Sequence, residues 1–128
     1  MYMKRNLSLV RNLLLGIEKL IDELKTSCSS KDMEALLYDY THQDIVSHLR
    51  LLQRAGFIDA DIRSWVDGSF DMTIRGLTIT GFEYLDAVRD DSIWQTIEEG
   101  LSQQEGYVAL DAVKEAALQI ATTTLLSA

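Results

Sequence analysis

The fold is decided by residues 42–75, which read HQDIVSHLRLLQRAGFIDADIRSWVDGSFDMTIR. The first part of this stretch predicts a helix over residues 42–55, because its apolar residues recur at three- and four-residue spacing. The buried stripe of this helix consists of Ile45, Leu49 and Leu52. Thr41 is placed to cap the helix, and Gly56 follows its last turn, where a left-handed residue commonly ends a helix.

A β-hairpin is predicted directly after this helix. Asp67-Gly68 is the clearest turn signal in the chain, and it favours a type I′ turn, which needs a positive φ at both central positions. Residues 70–75 alternate apolar and polar side chains, as a half-buried strand does, and residues 58–65 supply the partner strand. A helix that leads straight into a two-stranded hairpin is typical of a winged helix-turn-helix domain.

The remaining segments add helices on both sides of this unit. Residues 5–25 form the strongest predicted helix, and residues 26–30 form a polar loop. Residues 32–38 fit either a short helix or a short strand. After the hairpin, a capping box at Thr80 predicts a helix to about residue 89, and one at Ser92 predicts a helix to about residue 104. Gly106 then interrupts the chain. The last helix is predicted over residues 109–126.

The sequence therefore predicts an α+β protein, mostly α, with a winged helix-turn-helix-like core, a two-stranded wing and additional C-terminal helices. We expect the core to cover residues 1–91. Residues 92–128 are expected to form a helical extension that packs on the core or mediates dimerisation. An irregular α+β domain and a helical bundle with an inserted hairpin remain as alternatives. Residues 32–40 leave room for only about two helical turns before the second clear helix, fewer than a full helix-turn-helix needs.

Charge and cysteine content exclude several classes of protein. The 128 residues carry a formal net charge of −8, and Cys28 is the only cysteine, which excludes a disulfide scaffold. Residues 1–31 hold six Lys/Arg and three Asp/Glu, whereas residues 91–128 hold one and six. A protein whose acidic residues outnumber its basic residues in this way is not held to nucleic acid by its net charge. No signal peptide or membrane-spanning stretch is evident, so we expect a cytoplasmic protein.

Several segments resemble known bacterial proteins. Residues 48–58, HLRLLQRAGFI, resemble the end of the recognition helix in many winged-helix regulators. Residues 77–85, LTITGFEYL, are similar to the passage that leaves the wing in the same proteins. The chain from about residue 3 to its end resembles the uncharacterised bacterial and phage family called domain of unknown function 2513. The resemblance to this family is clearest in MKRNLSLVR (residues 3–11), DAVRDDSIW (residues 86–94) and LDAVKE (residues 110–115). It implies a winged-helix-like fold, and it implies no activity and no catalytic residues.

The outer face of the predicted helix over residues 42–55 is the first candidate site. At 100° per residue, one polar row projects opposite the buried stripe. This row consists of Gln43, Ser47, Arg50 and Arg54. Arginine and glutamine read base edges bidentately, so the row is a candidate surface for the major groove of DNA. The alternative is the ordinary polar face of an amphipathic helix.

The predicted strands carry a second candidate site. Arg63 and Arg75 flank the wing, where they are placed to contact phosphates beside the groove. Asp61, Asp67 and Asp71 lie beside them and would repel the same phosphates. The sequence therefore favours cross-strand ion pairs over phosphate contacts for these arginines.

The other candidate groups give weaker evidence for a functional site. His42 and His48 do not share a helix face and Cys28 is remote, so we expect no metal site, and His48 is predicted to be a partly buried, hydrogen-bonded group. Cys28 is predicted to be a loop thiol. Lys4, Arg5 and Arg11 make a basic N-terminal segment, which is either a phosphate-contacting arm or solvated charge. No catalytic constellation and no cofactor motif can be assembled, so we do not expect an enzyme.

We therefore expect a DNA-binding accessory or regulatory protein of bacterial or phage origin, which inserts the helix over residues 42–55 into the major groove of double-stranded DNA. A homodimer through the C-terminal helices would present two such helices. The alternative is a protein–protein interaction module on a winged-helix scaffold that does not bind DNA. The net charge and the acidic wing favour this alternative.

Overall fold

The described part of the chain folds into helices and one small sheet. A computed structural model describes residues 6–22, 25–101 and 109–127. The elements are, in chain order, α1 (Leu7–Leu20), β1 (Cys28–Ser29), α2 (Ser30–Leu36), α3 (His42–Arg54), β2 (Ile58–Ser64), β3 (Phe70–Leu77), α4 (Ile79–Val88), α5 (Asp91–Leu101) and α6 (Leu110–Ser127). The strands form an antiparallel sheet with the order β1-β3-β2. This is the mostly helical α+β class that the sequence predicts.

α1 is shorter than the predicted helix over residues 5–25. Asn6 caps its first turn, because the side-chain oxygen accepts a backbone N–H at 3.0 Å. At the other end, Ile21 already has an extended backbone. The Asp22 N–H donates to the Lys25 carbonyl at 2.8 Å, and the Asp22 carboxylate accepts from the Lys25 N–H at 2.7 Å. The helix ends here because Asp22 satisfies its backbone locally.

For residues 32–38, which the sequence leaves open between a short helix and a short strand, the structure shows the helix α2 up to Leu36, and a strand lies before it. β1 lies where a polar loop was predicted for residues 26–30, and Cys28 pairs with Ile74 of β3. α2 then begins at a capping box. The Asp32 N–H donates to Ser29 Oγ at 3.2 Å, and the Ser29 N–H donates to the Asp32 carboxylate at 2.9 Å. A strand of two residues is too short to show the alternation that marks strands in a sequence.

α3 has nearly the predicted bounds, and both of its predicted end signals are confirmed. Thr41 Oγ1 accepts the backbone N–H of Asp44 at 3.1 Å. Gly56, just past the C-terminus, has a φ of +77°. Only residues that tolerate this conformation stop a helix in this way, and glycine does so without steric cost.

The turn between β2 and β3 is not the predicted type I′ turn. Gly68 has a φ of +87°, but no non-glycine residue in the described ranges has a positive φ, so Asp67 does not adopt the second left-handed position. The Gly68 N–H donates to the Trp65 carbonyl, and the Trp65 N–H donates to the Ser69 carbonyl, both at 3.0 Å. This pattern is that of a three-residue loop with a left-handed glycine at its end. The Asp67 carboxylate accepts the Ser69 N–H at 2.9 Å, which favours this loop.

The helices after the sheet begin slightly earlier than predicted, because other residues cap them. Thr78, not Thr80, caps α4: its Oγ1 accepts the Gly81 N–H at 3.1 Å. Asp90, not Ser92, caps α5, since its carboxylate accepts the backbone N–H groups of residues 92 and 93 at 2.9 and 3.0 Å. Gly106 lies outside the described residues.

Apolar side chains of the helices and of the sheet form the core. The fully buried ones before α4 include Leu9, Leu13, Leu14, Ile17, Met33, Ile45, Leu49, Leu52, Met72 and Ile74. Burying each of the larger ones contributes about 1.5–3 kcal/mol.

The chain divides into two compact units, Met1–Phe82 and Glu83–Ala128. The predicted division into residues 1–91 and 92–128 stays a prediction. None of the helices in the described ranges combines the length and apolar character needed to cross a membrane.

Candidate nucleic-acid interface

α3 is fixed to its neighbours along its length. Ile45, Leu49 and Leu52 are fully buried, as the apolar stripe predicts. Near the C-terminus of α3, the Gln53 side-chain amide donates to the carbonyl of Ala60 in β2 at 2.9 Å. The helix is therefore attached to the sheet by a polar contact as well as by apolar packing.

His48 attaches the same helix to the start of α1. The ring is 2% exposed, and its Nε2 accepts the backbone N–H of Asn6 at 2.9 Å. Because that partner is a donor, Nε2 carries no proton, and Nδ1–H donates to the Asp44 carbonyl at 2.8 Å. The sequence predicted a partly buried, hydrogen-bonded histidine. The predicted hydrogen bonding is confirmed, whereas the ring is buried almost completely rather than partly, and it acts as a structural link.

The outer face of α3 presents the four polar residues that the sequence places there. Gln43, Arg50 and Arg54 are exposed, and Ser47 is half-buried. Ser47 Oγ donates to the carbonyl of Asp44 at 3.1 Å, so part of its hydrogen-bonding capacity is used within the helix. Helix geometry thus brings Gln43, Ser47, Arg50 and Arg54 onto the side of α3 away from its buried stripe.

Arg50 also contacts the hairpin, which sequence reasoning missed. Its guanidinium carbon lies 4.7 Å from the centroid of the Phe70 ring, the first residue of β3. This distance is within the range of a cation–π interaction. The two residues are twenty positions apart, so no periodicity relates them. The only available signal was a polar helix face followed by a hairpin whose second strand begins with an aromatic residue.

The hairpin has two chemically different faces. Ala60 pairs with Ile74, Ile62 with Met72 and Ser64 with Phe70, and this face contains the buried side chains. Directly opposed residues of a ladder point to the same face, and neighbours along a strand point to opposite faces. The pairs Asp61–Thr73 and Arg63–Asp71 therefore lie on the other face. The strand carboxylates are thus directed away from the face that carries Phe70.

Arg75 is held by two carboxylates on this acidic face. Its Nη2 lies 2.7 Å from Asp59 Oδ1, and its Nη1 is paired with Asp61. These hydrogen bonds and charges raise the pKa of Arg75, and the hydrogen bond from Arg75 is the main cause that lowers the pKa of Asp61. A β-bulge at Asp59/Ala60 and a φ of +152° at Gly76 shape the strands at this point. The ion pairs that the sequence favoured over phosphate contact are present at Arg75.

The other predicted arginines are not neutralised in this way. Across residues 6–22, 25–101 and 109–127, Arg50, Arg54 and Arg63 form no ion pair at 4.0 Å or less. Arg63 is exposed and lies opposite Asp71 in the ladder. The arrangement therefore leaves two guanidinium groups on α3 without a carboxylate partner in the described ranges, whereas Arg63 lies on the acidic face of the hairpin beside Asp61 and Asp71.

The tip of the hairpin is apolar and exposed. Trp65 is 52% exposed, Val66 is fully exposed, and Ile62 in the adjoining strand is 36% exposed. Single exposed apolar residues are common on protein surfaces, but here two of them are consecutive at the end of a ribbon. The hairpin tip is therefore a second candidate surface, an apolar one, beside the outer face of α3.

Neither metal nor nucleophile chemistry is evident in the part of the chain that the structure describes. There, no group of three or more His, Cys, Asp or Glu side chains is arranged to hold a metal ion. Cys28 is not the loop thiol that the sequence predicted: it lies in β1 and is 4% exposed. Burial is the main cause that raises the pKa of its thiol to about 11, so little reactive thiolate forms at neutral pH. Of the predicted basic segment, Lys4 and Arg5 lie outside the described residues, whereas Arg11 lies in α1 and is buried, so it is not solvated charge.

The chain also matches known sequences. Residues 4–107 match the family DUF2513, described as hypothetical protein. A protein of Haemophilus influenzae named "Uncharacterized protein" is 31% identical over 127 residues, which cover 96% of this chain and 99% of that relative. No solved structure matches the chain. The match spans most of the sequence and confirms the predicted resemblance: the chain belongs to the DUF2513 family of hypothetical proteins.

Proposed function

We propose that the chain is a winged helix-turn-helix protein that binds double-stranded DNA as an accessory or regulatory factor. In this proposal α2 and α3 form the helix-turn-helix, α3 enters the major groove, and the β2–β3 hairpin is the wing. The succession of α1, β1, α2, α3 and a hairpin whose second strand pairs with β1 supports this assignment. Gln43, Ser47, Arg50 and Arg54 face bases and phosphates, and Arg63 contacts a phosphate beside the groove.

The observation that carries the proposal is the separation of charges around α3. Arg50 and Arg54 form no ion pair among the described residues and lie on the outer face of α3. Arg63 lies on the acidic face of the hairpin, where its charge helps to lower the pKa of Asp61. Arg75 pairs with Asp59 and Asp61 on that face. The hairpin face that continues from α3 through Phe70 contains no acidic residue in its paired positions. A protein with a net charge of −8 can therefore still offer a locally cationic surface to the DNA backbone.

The experiment is a titration of duplex DNA at several salt concentrations. Three phosphate-neutralising arginines give a slope of log affinity against log salt of about −3. Arg50→Ala/Arg54→Ala is expected to weaken binding on the order of tenfold or more and to reduce the slope by about two. The matched control is Arg89→Ala/Lys114→Ala, which removes the same charge from residues that are paired with Asp86 and Glu83. Equal affinity of the Arg50→Ala/Arg54→Ala variant and the parent would reject the proposal.

We further propose a homodimer, in which α6 of each copy contributes to the contact, and no catalytic role. Leu118 of α6 is 43% exposed, whereas Val113 and Ala117 on the same helix are buried. A two-fold dimer would present two α3 helices to successive turns of the major groove. Sedimentation equilibrium of the parent and of Leu118→Glu tests this: the variant is expected to be monomeric, and a parent that is itself monomeric at all concentrations contradicts the dimer.

A second candidate function is a protein–protein interaction module that does not bind DNA. The exposed tip residues Trp65 and Val66 favour it. Crosslinked partners that the parent captures and that Trp65→Ser/Val66→Ser does not would support this function, provided that Arg50→Ala/Arg54→Ala still captures them. Retention of the same partners by the tip variant would argue against it.

A further inference from the structure

We propose that Phe70 is a positioning residue, which holds the guanidinium of Arg50 so that it reads a guanine in the major groove. This inference rests on the proposed function, and it adds the base that α3 recognises and the residue that sets this preference. It starts from one contact, in which Arg50 of α3 lies over the ring of Phe70 at 4.7 Å.

Arg50 is exposed and forms no ion pair in the described part of the chain. A long exposed side chain of this kind samples many rotamers, and ordering it on DNA costs conformational entropy. A ring beneath the guanidinium reduces this cost, because the stacked rotamer is already favoured before DNA arrives. Phe70 itself is held by its place at the start of β3, where it pairs with Ser64.

If the guanidinium plane lies along the ring face, the contact at 4.7 Å leaves its hydrogen-bonding edge available. A cation over a ring uses the face of the guanidinium plane, whereas the N–H donors point outward within that plane. Two parallel donors match O6 and N7 of guanine, which is the commonest specific contact of arginine in the major groove. A carboxylate partner would occupy this same edge, and Arg50 has none in the described ranges. Arg75 shows the opposite case, since Asp59 and Asp61 fill its donors.

The contact also links the two parts of the proposed interface. Arg50 belongs to α3 and Phe70 to the hairpin, so the orientation of the reading side chain depends on where the wing sits relative to the helix. The Gln53–Ala60 hydrogen bond fixes that relation at 2.9 Å. The wing therefore contributes to base recognition through Arg50, without itself touching a base.

The experiment selects bound sequences from a randomised pool of duplex DNA with the full chain and its variants. The parent is expected to enrich guanine at one or more positions, and Arg50→Ala to abolish that enrichment at one of them. Phe70→Leu should lower the enrichment about two- to fivefold at that same position only, the range that an exposed cation–π contact supports. Phe70→Tyr restores the ring and should restore the enrichment. Trp65→Leu makes the same change at another aromatic residue of the hairpin and should leave guanine enrichment unaltered.

A readout without DNA keeps the inference testable if Phe70→Leu folds poorly. The Phe70 ring is expected to shift the Arg50 side-chain protons upfield in the NMR spectrum of the parent, and this shift should persist in Phe70→Tyr. Unchanged guanine enrichment in a folded Phe70→Leu, an equal loss at all positions, or the lack of an upfield shift would overturn the role of Phe70 while leaving DNA binding intact. A parent that enriches no duplex overturns the proposed function and this inference together.

Discussion

At the scale of single residues, Gly81 shows how closely two backbones approach. A Cβ at this position would lie 2.0 Å from the carbonyl oxygen of Phe57, and the Thr78 N–H donates to that same oxygen at 3.0 Å. The obstructing atom belongs to the backbone, so it cannot move aside as a side chain would. Residue 81 must therefore be glycine for α4 to begin where it does.

Gly81→Ala is accordingly expected to lower the free energy of unfolding by about 1–3 kcal/mol, the usual cost of overpacking. Gly100→Ala is the matched control, because a Cβ there meets no atom within 4 Å and the residue lies in α5. Alanine favours the helix, so the control should gain about 0.5–1 kcal/mol. Urea unfolding of both variants measures the difference, and equal stabilities would contradict the argument.

Asp32 gives a residue-scale prediction about pH. Its pKa is lowered from the ordinary value of 3.8, chiefly by the hydrogen bond from the Ser29 N–H. A lowered folded-state pKa means that the carboxylate stabilises the fold above that ordinary value and that this contribution is lost as the pH falls through the folded-state pKa. Asp32→Asn should cost a few tenths of a kcal/mol to about 1 kcal/mol at neutral pH, the range for an acidic side chain in the first turn of a helix, and the cost should shrink in acid. Asp39→Asn, at an exposed position, should show no such trend in urea unfolding.

The sequence predicts single residues well when their partners are near in the chain. The cap at Thr41 and the left-handed Gly56 follow from local chemistry, and both are present. The contact of Arg50 with Phe70 depends on how a helix and a hairpin are placed in space, so it has no local signal. Ion pairing of Arg75 was favoured from its acidic neighbours, among them Asp61, but its second partner, Asp59, was not predicted.

At the scale of elements, α3 and the hairpin were predictable because each is long enough to show its own periodicity. β1 was not, because two residues carry no period and their pairing with β3 is formed across the sheet. The turn was predicted at the right residues with the wrong type. The side chain of Asp67 bonds to the backbone two residues on, and this competes with the left-handed conformation that a type I′ turn requires.

The revised turn makes a prediction of its own. Gly68 has a φ of +87° and no atom within 4 Å of its Cβ position, so substitution there tests backbone strain without steric overlap. Gly68→Ala should cost about 1–2 kcal/mol, whereas Gly68→Asn should cost less, because asparagine tolerates left-handed backbone. Asp67→Gly should be tolerated poorly as well, because it removes the carboxylate that bonds the Ser69 N–H. Thermal unfolding of the three variants gives the order, and an alanine variant as stable as the parent would contradict it.

At the scale of the whole molecule, the net charge of −8 acts against the local arginines. Under the proposed function, long-range repulsion would slow the approach to DNA, and salt would screen it beyond a Debye length of about 10 Å at 0.1 M. Asp111→Asn/Glu115→Gln removes two exposed charges on α6. If the proposed function holds, association with duplex DNA should be faster at low salt in this variant, and the difference from the parent should vanish at high salt in stopped-flow measurements. A difference that persists at high salt would point to a direct contact instead.

If the proposed function holds, the anchoring of α3 has a consequence for the DNA. The helix is tied to α1 through His48 and to β2 through Gln53, so its backbone is held in place before any encounter. We then expect any adjustment at the interface to fall on the duplex, which bends or twists to fit. Sites rich in flexible pyrimidine–purine steps would then bind better than stiff A-tracts, even where those steps touch no side chain.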